Sequence, residues 1–188
     1  MKNLTSKLHL ANQGVFTSKE IALLWQEPNP NNLKNKINYY VKSGVLHSLR
    51  RGIYSLTGKN YLPYELANRI YSPSYVSLET VLALEGVIFQ HDTRIFSVTY
   101  QSRETIVENN TYIYRKISNE ILTNPLGLKN IGSYWIATKE RAFLDSLYLN
   151  GKPYFDHLNS MDWDLCRQIL PIYHNVSLNK RFETYAKS

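Results

Sequence analysis

Apolar residues near the start of the chain recur at helical spacing and predict two helices. Residues 3–12 form the first segment, because their apolar positions fall three or four apart and share one helix face. The second helix begins in FTSKEIALLW, where Thr17 or Ser18 can cap the N terminus. Glu20 follows Thr17 by three residues, and this spacing fits a capping box.

A third helix is predicted over residues 31–43, after the proline-containing stretch QEPNPNN. One face is apolar and belongs in a core: Leu33, Ile37, Tyr40 and Val41. The opposite face is polar: Asn31, Asn35, Asn38, Tyr39 and Lys42. Lys34 and Lys36 lie on the flanks. Asparagine is a weak helix former, but its amide can pair with the major-groove edge of adenine, so the polar face is a candidate surface for reading DNA.

Two short apolar runs then predict a β-hairpin with a basic bend. The runs cover residues 45–49 and 53–56, and Arg50, Arg51 and Gly52 lie between them. A tight bend needs a residue that tolerates positive φ, which glycine supplies. It does not need arginine. The two charges therefore either keep the turn solvated or contact a polyanion.

The order of helix, helix, polar-faced helix and basic hairpin is that of a winged helix-turn-helix domain. In this arrangement the third helix enters the major groove and the hairpin reaches the phosphate backbone or the minor groove. We expect Asn35 and Asn38 to read bases and Lys42 to contact phosphate. The full set of candidate DNA-binding residues is Ser18, Lys19, Asn31, Lys34, Asn35, Asn38, Tyr39, Lys42, Arg50 and Arg51.

The chain after residue 60 predicts a mixed α+β domain. Strand patterns occur in RIFSVTY, ETIVEN, TYIYRKI and YWIAT. Helical patterns occur in YELANRIYSPS, YVSLETVLALEGVI (with Ser77 as its cap), KERAFLDSLYL, MDWDLCRQIL and SLNKRFETYAK. The stretch TGKNYLPY separates the two regions. We therefore predict an α+β protein with a winged helix-turn-helix domain over residues 1–60 and an α+β domain over residues 61–188, which ends in a helical extension from about residue 151.

The charge distribution strengthens the case for a polyanion partner. The chain has 188 residues and a net charge of +7. Residues 1–60 contain nine basic and two acidic side chains, whereas the rest of the chain is balanced. A localised basic excess is typical of nucleic-acid binding. A membrane surface is the less favoured partner, because it usually binds a basic amphipathic helix or a run of lysines.

Residues that could support catalysis are scattered along the chain. Cys166 is the only cysteine, which excludes an intrachain disulfide and a cysteine-based zinc site. The five histidines form no HxH or HExxH pair. Glu79 and Glu85, and likewise Glu140 and Asp145, have spacings that place them on different helix faces. We predict no active site, no metal and no cofactor. Because the sequence has neither a secretory signal nor a membrane-spanning run, we expect a cytoplasmic protein.

Several stretches in order resemble the AbiEi-type antitoxins of bacterial type IV toxin–antitoxin systems. VKSGVLHSLRRGIYSL is similar to the end of the third helix and the wing in that family. SPSYVSLETVLALEGVI, SVTYQSR and WIATKERAFLDSLYL resemble three later segments, so the resemblance covers about residues 1–150. The chain departs from the family pattern at Glu85, where histidine is frequent, and at Lys139, where proline is usual. Residues 151–188 align with nothing in the family.

The resemblance implies a transcriptional repressor that binds DNA repeats in the promoter of its own operon. It also implies that the C-terminal domain opposes a nucleotidyltransferase-like toxin without forming a stable complex with it. The resemblance sets no oligomeric state. Two alternatives stay open: a nuclease that a winged helix directs to DNA, and a module that binds RNA or an acidic protein. The lack of an acid cluster disfavours the nuclease, and the asparagines of the third helix favour DNA bases over RNA or protein.

Overall fold

The computed structural model describes residues 2–89 and 92–186, without the side chains of Lys2 and Asn3. The chain is α+β, as predicted, with a three-stranded antiparallel sheet and a six-stranded mixed sheet. It divides into two compact units, Met1–Ile70 and Tyr71–Ser188.

The first unit contains the predicted helices and hairpin. Its elements are α1 (Lys2–Leu10), β1 (Val15–Thr17), α2 (Ser18–Trp25), α3 (Pro30–Lys42), β2 (Leu46–Arg50), β3 (Ile53–Leu56) and α4 (Pro63–Ile70). The sheet order is β1-β3-β2. The sequence pattern did not predict β1, because three residues are too few to show alternation. Its Phe16 lies opposite Tyr54 of the hairpin, so β1 extends the hairpin into a sheet.

Local capping sets the start of α2. The Glu20 backbone N–H donates to Thr17 Oγ1 at 3.2 Å, and the Thr17 backbone N–H donates to Glu20 Oε2 at 2.7 Å. This reciprocal pair is the predicted capping box, and it satisfies two backbone donors that a helix start leaves without partners.

The start of α3 lies one residue before the predicted position. The Asn29 side chain accepts hydrogen bonds from the backbone N–H groups of Asn31 and Asn32. Pro30 then occupies the first turn of the helix, where its missing N–H costs no hydrogen bond. The proline that marks a helix break in the sequence is therefore the first residue of α3.

The apolar face of α3 packs into the core of the first unit, as predicted. Ile37 and Tyr40 are buried, and Leu33 and Val41 pack against the same cluster. The Tyr40 ring also lies 5.2 Å from the ring of Trp25 in α2. The remaining buried members of this cluster are Leu8, Phe16, Ile21, Leu46 and Leu56.

The helix α4 belongs to the first unit, ten residues beyond the predicted boundary at residue 60. Its Glu65 is buried, and Oε1 accepts the backbone N–H groups of Gly14 and Val15, both at 2.8 Å. Arg69 of the same helix pairs with Glu20 of α2 at 3.0 Å. Buried backbone donors must find acceptors, so this contact fastens α4 to β1.

The second unit contains the six-stranded sheet with helices. Its elements are β4 (Ser74–Val76), α5 (Leu78–Leu84), β5 (Ile95–Thr99), β6 (Arg103–Val107), β7 (Asn110–Lys116), α6 (Asn119–Thr123), β8 (Leu128–Asn130), β9 (Trp135–Ala137), α7 (Lys139–Asn150), α8 (Trp163–Ile169), a 3₁₀ helix (Leu170–Tyr173) and α9 (Val176–Ala186). The strand order is β6-β7-β5-β4-β9-β8. The predicted strands and helices of this region are present, whereas β4, α6, β8 and the 3₁₀ helix were not predicted.

The helix predicted to begin after Ser77 is present as α5, and the segment that contains it begins with a strand that was not predicted. The segment YVSLETVLALEGVI begins in β4, where Val76 pairs with Ser97 of β5, and only then enters α5. Leu78 has a φ of 56°, which turns the chain sharply between the two elements. Ser77 is at the N-cap position, but its hydroxyl does not cap α5 and instead donates to Asp145 at 2.7 Å.

Candidate nucleic-acid interface

The polar face of α3 points away from the core of the first unit. Each of its predicted members is exposed: Asn31, Asn35, Asn38, Tyr39 and Lys42. The Tyr39 side chain is 52% exposed and contacts the Tyr40 ring edge-on. Because the buried stripe fixes the rotation of the helix, these side chains form one continuous outward surface.

The lysines of α3 differ in their electrostatic state. Lys36 forms an ion pair with Glu27, which precedes the helix. The hydrogen bond from Lys36 holds the pKa of the Glu27 carboxyl below its ordinary value, so the pair stays charged and neutralises itself. Lys34 and Lys42 are exposed, and no ion pair to a described residue is formed by either. They supply the uncompensated positive charge of the helix.

The hairpin places its two arginines at an exposed bend. Arg50 ends β2, Arg51 and Gly52 form the turn, and Gly52 has a φ of 79°. Both arginines are exposed. The positive φ confirms why the bend needs glycine, since a residue with a side chain would be strained there.

The start of α2 is joined to this bend. The Ser18 backbone N–H donates to the Gly52 carbonyl at 2.9 Å, and the Ser18 hydroxyl lies 3.4 Å from the same oxygen. Ser18 is half-buried, whereas the neighbouring Lys19 is exposed. Ser18 therefore has an internal role, which is to hold the turn against α2.

Sequence reasoning missed a buried polar cluster in the second unit. Asp145 of α7 accepts hydrogen bonds from Ser77, Tyr75 at 3.0 Å and Tyr173 at 2.6 Å, and it pairs with Arg141 at 3.4 Å. Arg141 donates further to the carbonyls of two residues in the α6 region. Arg141 and Asp145 are four residues apart on one helix, a spacing at which opposite charges can form an ion pair. This spacing is the signal in the sequence that could have revealed the pair.

Burial is the largest single influence on the pKa values of the ionisable groups in this polar cluster. It raises the pKa of Asp145 against the opposing attraction of Arg141, and it raises the pKa of Tyr75 and Tyr173 well above their usual range. Burial is the largest influence on the pKa of Arg141 and would lower it, but Asp145, Tyr173 and Tyr75 together outweigh burial and the net shift is upward. The tyrosines are therefore donors at neutral pH. All five side chains are buried, so the cluster has no access for a substrate.

The described part of the chain offers little for metal chemistry. Within residues 2–89 and 92–186, no group of three or more histidine, cysteine, aspartate or glutamate side chains could hold a metal ion. His91 lies outside these residues. Over the same ranges, none of the helices has the length and apolar character needed to cross a membrane.

Two sequence comparisons supply no function for this chain. No protein-family model matches the chain. No curated protein sequence shows significant similarity to it.

Proposed function

We propose that the first unit is a winged helix-turn-helix domain that binds double-stranded DNA. The exposed face of α3 carries this proposal, because it presents Asn35 and Asn38 beside Lys34 and Lys42 and contains no acidic residue. A helix with such a face fits the major groove, where amides can address base edges and lysines can reach phosphate.

The hairpin and the charge distribution support the same proposal. Arg50 and Arg51 lie at the exposed bend, where a wing would contact the phosphate backbone or the minor groove. Residues 1–70 contain ten basic and three acidic side chains, a net charge of +7, whereas the remaining residues are balanced. The basic excess therefore coincides with the unit that contains α3 and the hairpin.

The proposed cellular role is that of a repressor of its own operon and an antitoxin against a nucleotidyltransferase-like toxin. This role is supported by the resemblance to AbiEi-type antitoxins over about residues 1–150. We assign the antitoxin activity to residues 71–188, which form a compact unit without net charge. No stable complex with the toxin is expected.

Binding measurements on full-length protein test the DNA-binding proposal. Affinity is measured for the duplex upstream of its own coding sequence, a random duplex and a double-stranded RNA of equal length. We expect the first to bind most tightly and every affinity to fall with salt. Equal affinity for all three would contradict sequence-specific DNA binding, and tighter binding of RNA would favour the alternative of an RNA-binding module. Cleavage of a DNA substrate would favour the nuclease alternative.

The antitoxin proposal is tested separately in cells. Residues 71–188 are co-expressed with a nucleotidyltransferase-like toxin, and growth is compared with that of cells expressing the toxin with residues 1–70. We expect the second unit alone to restore growth. Rescue that requires the full chain, with soluble fragments present, would place the activity in both units.

A further inference from the structure

The asparagines at the start of α3 and those further along it differ in how their amides are used. Asn29 caps the helix, where its side chain accepts two backbone N–H groups, and the Asn32 side chain hydrogen-bonds to the Glu27 carboxyl. The amides of Asn35 and Asn38 are exposed, and neither forms a hydrogen bond with a residue that the structure describes. These two amides are therefore available to a ligand.

The spacing of the two available amides suits DNA base pairs. Ile37 and Tyr40 are buried on the opposite side of α3, so the helix cannot turn about its axis without exposing them. A helix rises 1.5 Å per residue, which places Asn35 and Asn38 about 4.5 Å apart along the axis. Successive nucleotides of one DNA strand are about 3.4 Å apart. The two amides can therefore reach neighbouring base pairs.

The chemistry of an amide selects adenine among the four bases. In the major groove adenine presents an acceptor at N7 beside a donor at N6, and a side-chain amide offers the matching donor and acceptor. Guanine presents two acceptors, which suit arginine or lysine, and cytosine presents a donor, which suits a carboxylate. The helix α3 has no arginine and no acidic residue. Its exposed lysines, Lys34 and Lys42, lie on a flank and at the end of the helix, positions that suit phosphate.

Tyr39 adds an apolar contact that favours the same base pair. Its ring lies 5.4 Å from the ring of the buried Tyr40 and nearly perpendicular to it, so the core supports its position. Tyr39 follows Asn35 by four residues and lies one turn further along the same face. Thymine, which pairs with adenine, presents a methyl group in the major groove that an apolar side chain can contact. The amides and the ring therefore all favour A·T pairs.

We propose, on the basis of the DNA binding proposed above, that α3 selects duplexes with neighbouring A·T base pairs. The amides of Asn35 and Asn38 bond to N6 and N7 of two adenines, and the ring of Tyr39 contacts a thymine methyl group. Lys34 and Lys42 bind phosphate and add no preference among bases.

Selection of duplexes from a random pool by full-length protein tests the preferred sequence. We expect the enriched duplexes to share at least two A·T pairs that are adjacent or separated by one pair. A shared sequence of G·C pairs, or binding without enrichment, would overturn this assignment of bases and leave DNA binding intact. Failure to bind any duplex would instead overturn the DNA binding itself.

Replacement of single atoms in the selected duplex tests the contacts. In 7-deazaadenine a carbon replaces N7, which removes the acceptor and keeps base pairing. We expect this change at a shared adenine to weaken binding about fivefold or more, and the same change outside the shared positions to have no effect. In Asn35→Ala and in Asn38→Ala, one shared adenine should lose its sensitivity to the change. Equal sensitivity in the native protein and both variants would show that these asparagines do not contact N7.

A change of base preference tests the role of Asn35 directly. Asn35 is exposed, so arginine can replace it without disturbing the core. We expect Asn35→Arg to prefer guanine at one shared position, because a guanidinium bonds to both N7 and O6 of guanine. Asn179→Arg is the matched control, since it adds the same charge at an exposed position of α9. An Asn35→Arg protein that still selects adenine at every shared position would overturn the assignment of Asn35.

Discussion

Asparagine in the middle of a helix has a local cost, because it favours the helix less than lysine, glutamate or glutamine do. The helix α3 nevertheless exposes Asn35 and Asn38, one turn apart, on the face opposite its buried stripe. The buried side chains Ile37 and Tyr40 fix which residues point outward. At the scale of the residue, the side-chain amides of Asn35 and Asn38 are therefore the groups expected to read DNA bases.

Replacing Asn35 or Asn38 by alanine should weaken binding to the preferred duplex by roughly 1–3 kcal/mol and leave binding to random DNA nearly unchanged. The reason is that an amide paired to a base edge contributes only when the right base is present. The measurement is the affinity of each folded variant for both duplexes at one salt concentration. Asn179→Ala is the control, since this exposed asparagine lies on α9. Equal losses on the two duplexes would show that these residues do not read sequence.

A second prediction at the scale of the residue concerns the thiol of Cys166. It is buried in α8, and burial raises the pKa of its thiol to about 12. In the unfolded chain the thiol ionises at a lower pH than in the native protein. The contribution of Cys166 to the free energy of unfolding is therefore fully present below the pKa of the unfolded chain, and it is lost as the pH rises toward the pKa of the native protein. At about pH 8 the thiolate fraction in the native protein should be roughly a thousandfold lower than in the unfolded chain.

Alkylation by iodoacetamide at about pH 8 measures this difference. We expect native protein to react slowly and the chain in concentrated guanidinium chloride to react at the rate of a free thiol. Fast alkylation of protein that is still folded would mean that Cys166 is accessible.

At the scale of elements, the hairpin and α3 should contribute to binding in different ways. The double variant Arg50→Ala with Arg51→Ala removes the charges of the exposed bend and leaves Gly52, on which the turn depends, in place. We expect weaker binding to preferred and random duplexes by similar factors. The slope of log affinity against log salt should fall by about one for each phosphate that the hairpin no longer binds.

Affinities over a series of salt concentrations test this expectation. The matched control is Arg167→Ala, which removes an exposed arginine from α8 in the second unit. An unchanged slope combined with a loss of preference between duplexes would assign the hairpin arginines to base reading instead.

Elements whose apolar residues recur at a clear spacing could be predicted from the sequence, whereas elements without such a spacing could not. The stripe of α3 and the two runs of the hairpin are long enough to show their spacing. By contrast, β1 has three residues, and β4 passes directly into α5 at Leu78, so an apolar run covers two elements. The outward face of α3 was predicted, because it follows from the same period. The bond between Ser18 and Gly52 was not, because it joins positions that meet only in the folded chain.

At the scale of the whole molecule, the first unit includes α4 and ends with it at Ile70. A fragment of residues 1–60 lacks Glu65, so the buried N–H groups of Gly14 and Val15 have no acceptor there. We expect residues 1–70 to fold cooperatively and residues 1–60 to be less stable by about 2 kcal/mol or more, since unsatisfied buried donors cost about 1–3 kcal/mol each. Denaturant unfolding of the two fragments measures the difference.

Two substitutions in the 1–70 fragment separate the hydrogen bonds from the length of the chain. Both N–H groups bond to the same oxygen, Oε1, so Glu65→Gln keeps the acceptor whereas Glu65→Ala removes it. The expected order of stability is native, then Glu65→Gln, then Glu65→Ala. Equal stability of all three would show that α4 contributes by apolar burial alone.

The buried contact between Ser77 and Asp145 has a consequence for how this sequence can change over generations. The two residues lie in separate elements of the second unit, and their side chains meet together with Tyr75, Arg141 and Tyr173. Loss of Asp145 would leave Arg141 buried without its carboxylate, and loss of Ser77, Tyr75 or Tyr173 would remove one of the hydrogen bonds to Asp145. We therefore expect a substitution at one of these positions to be tolerated best when a second position changes with it, whatever the protein binds.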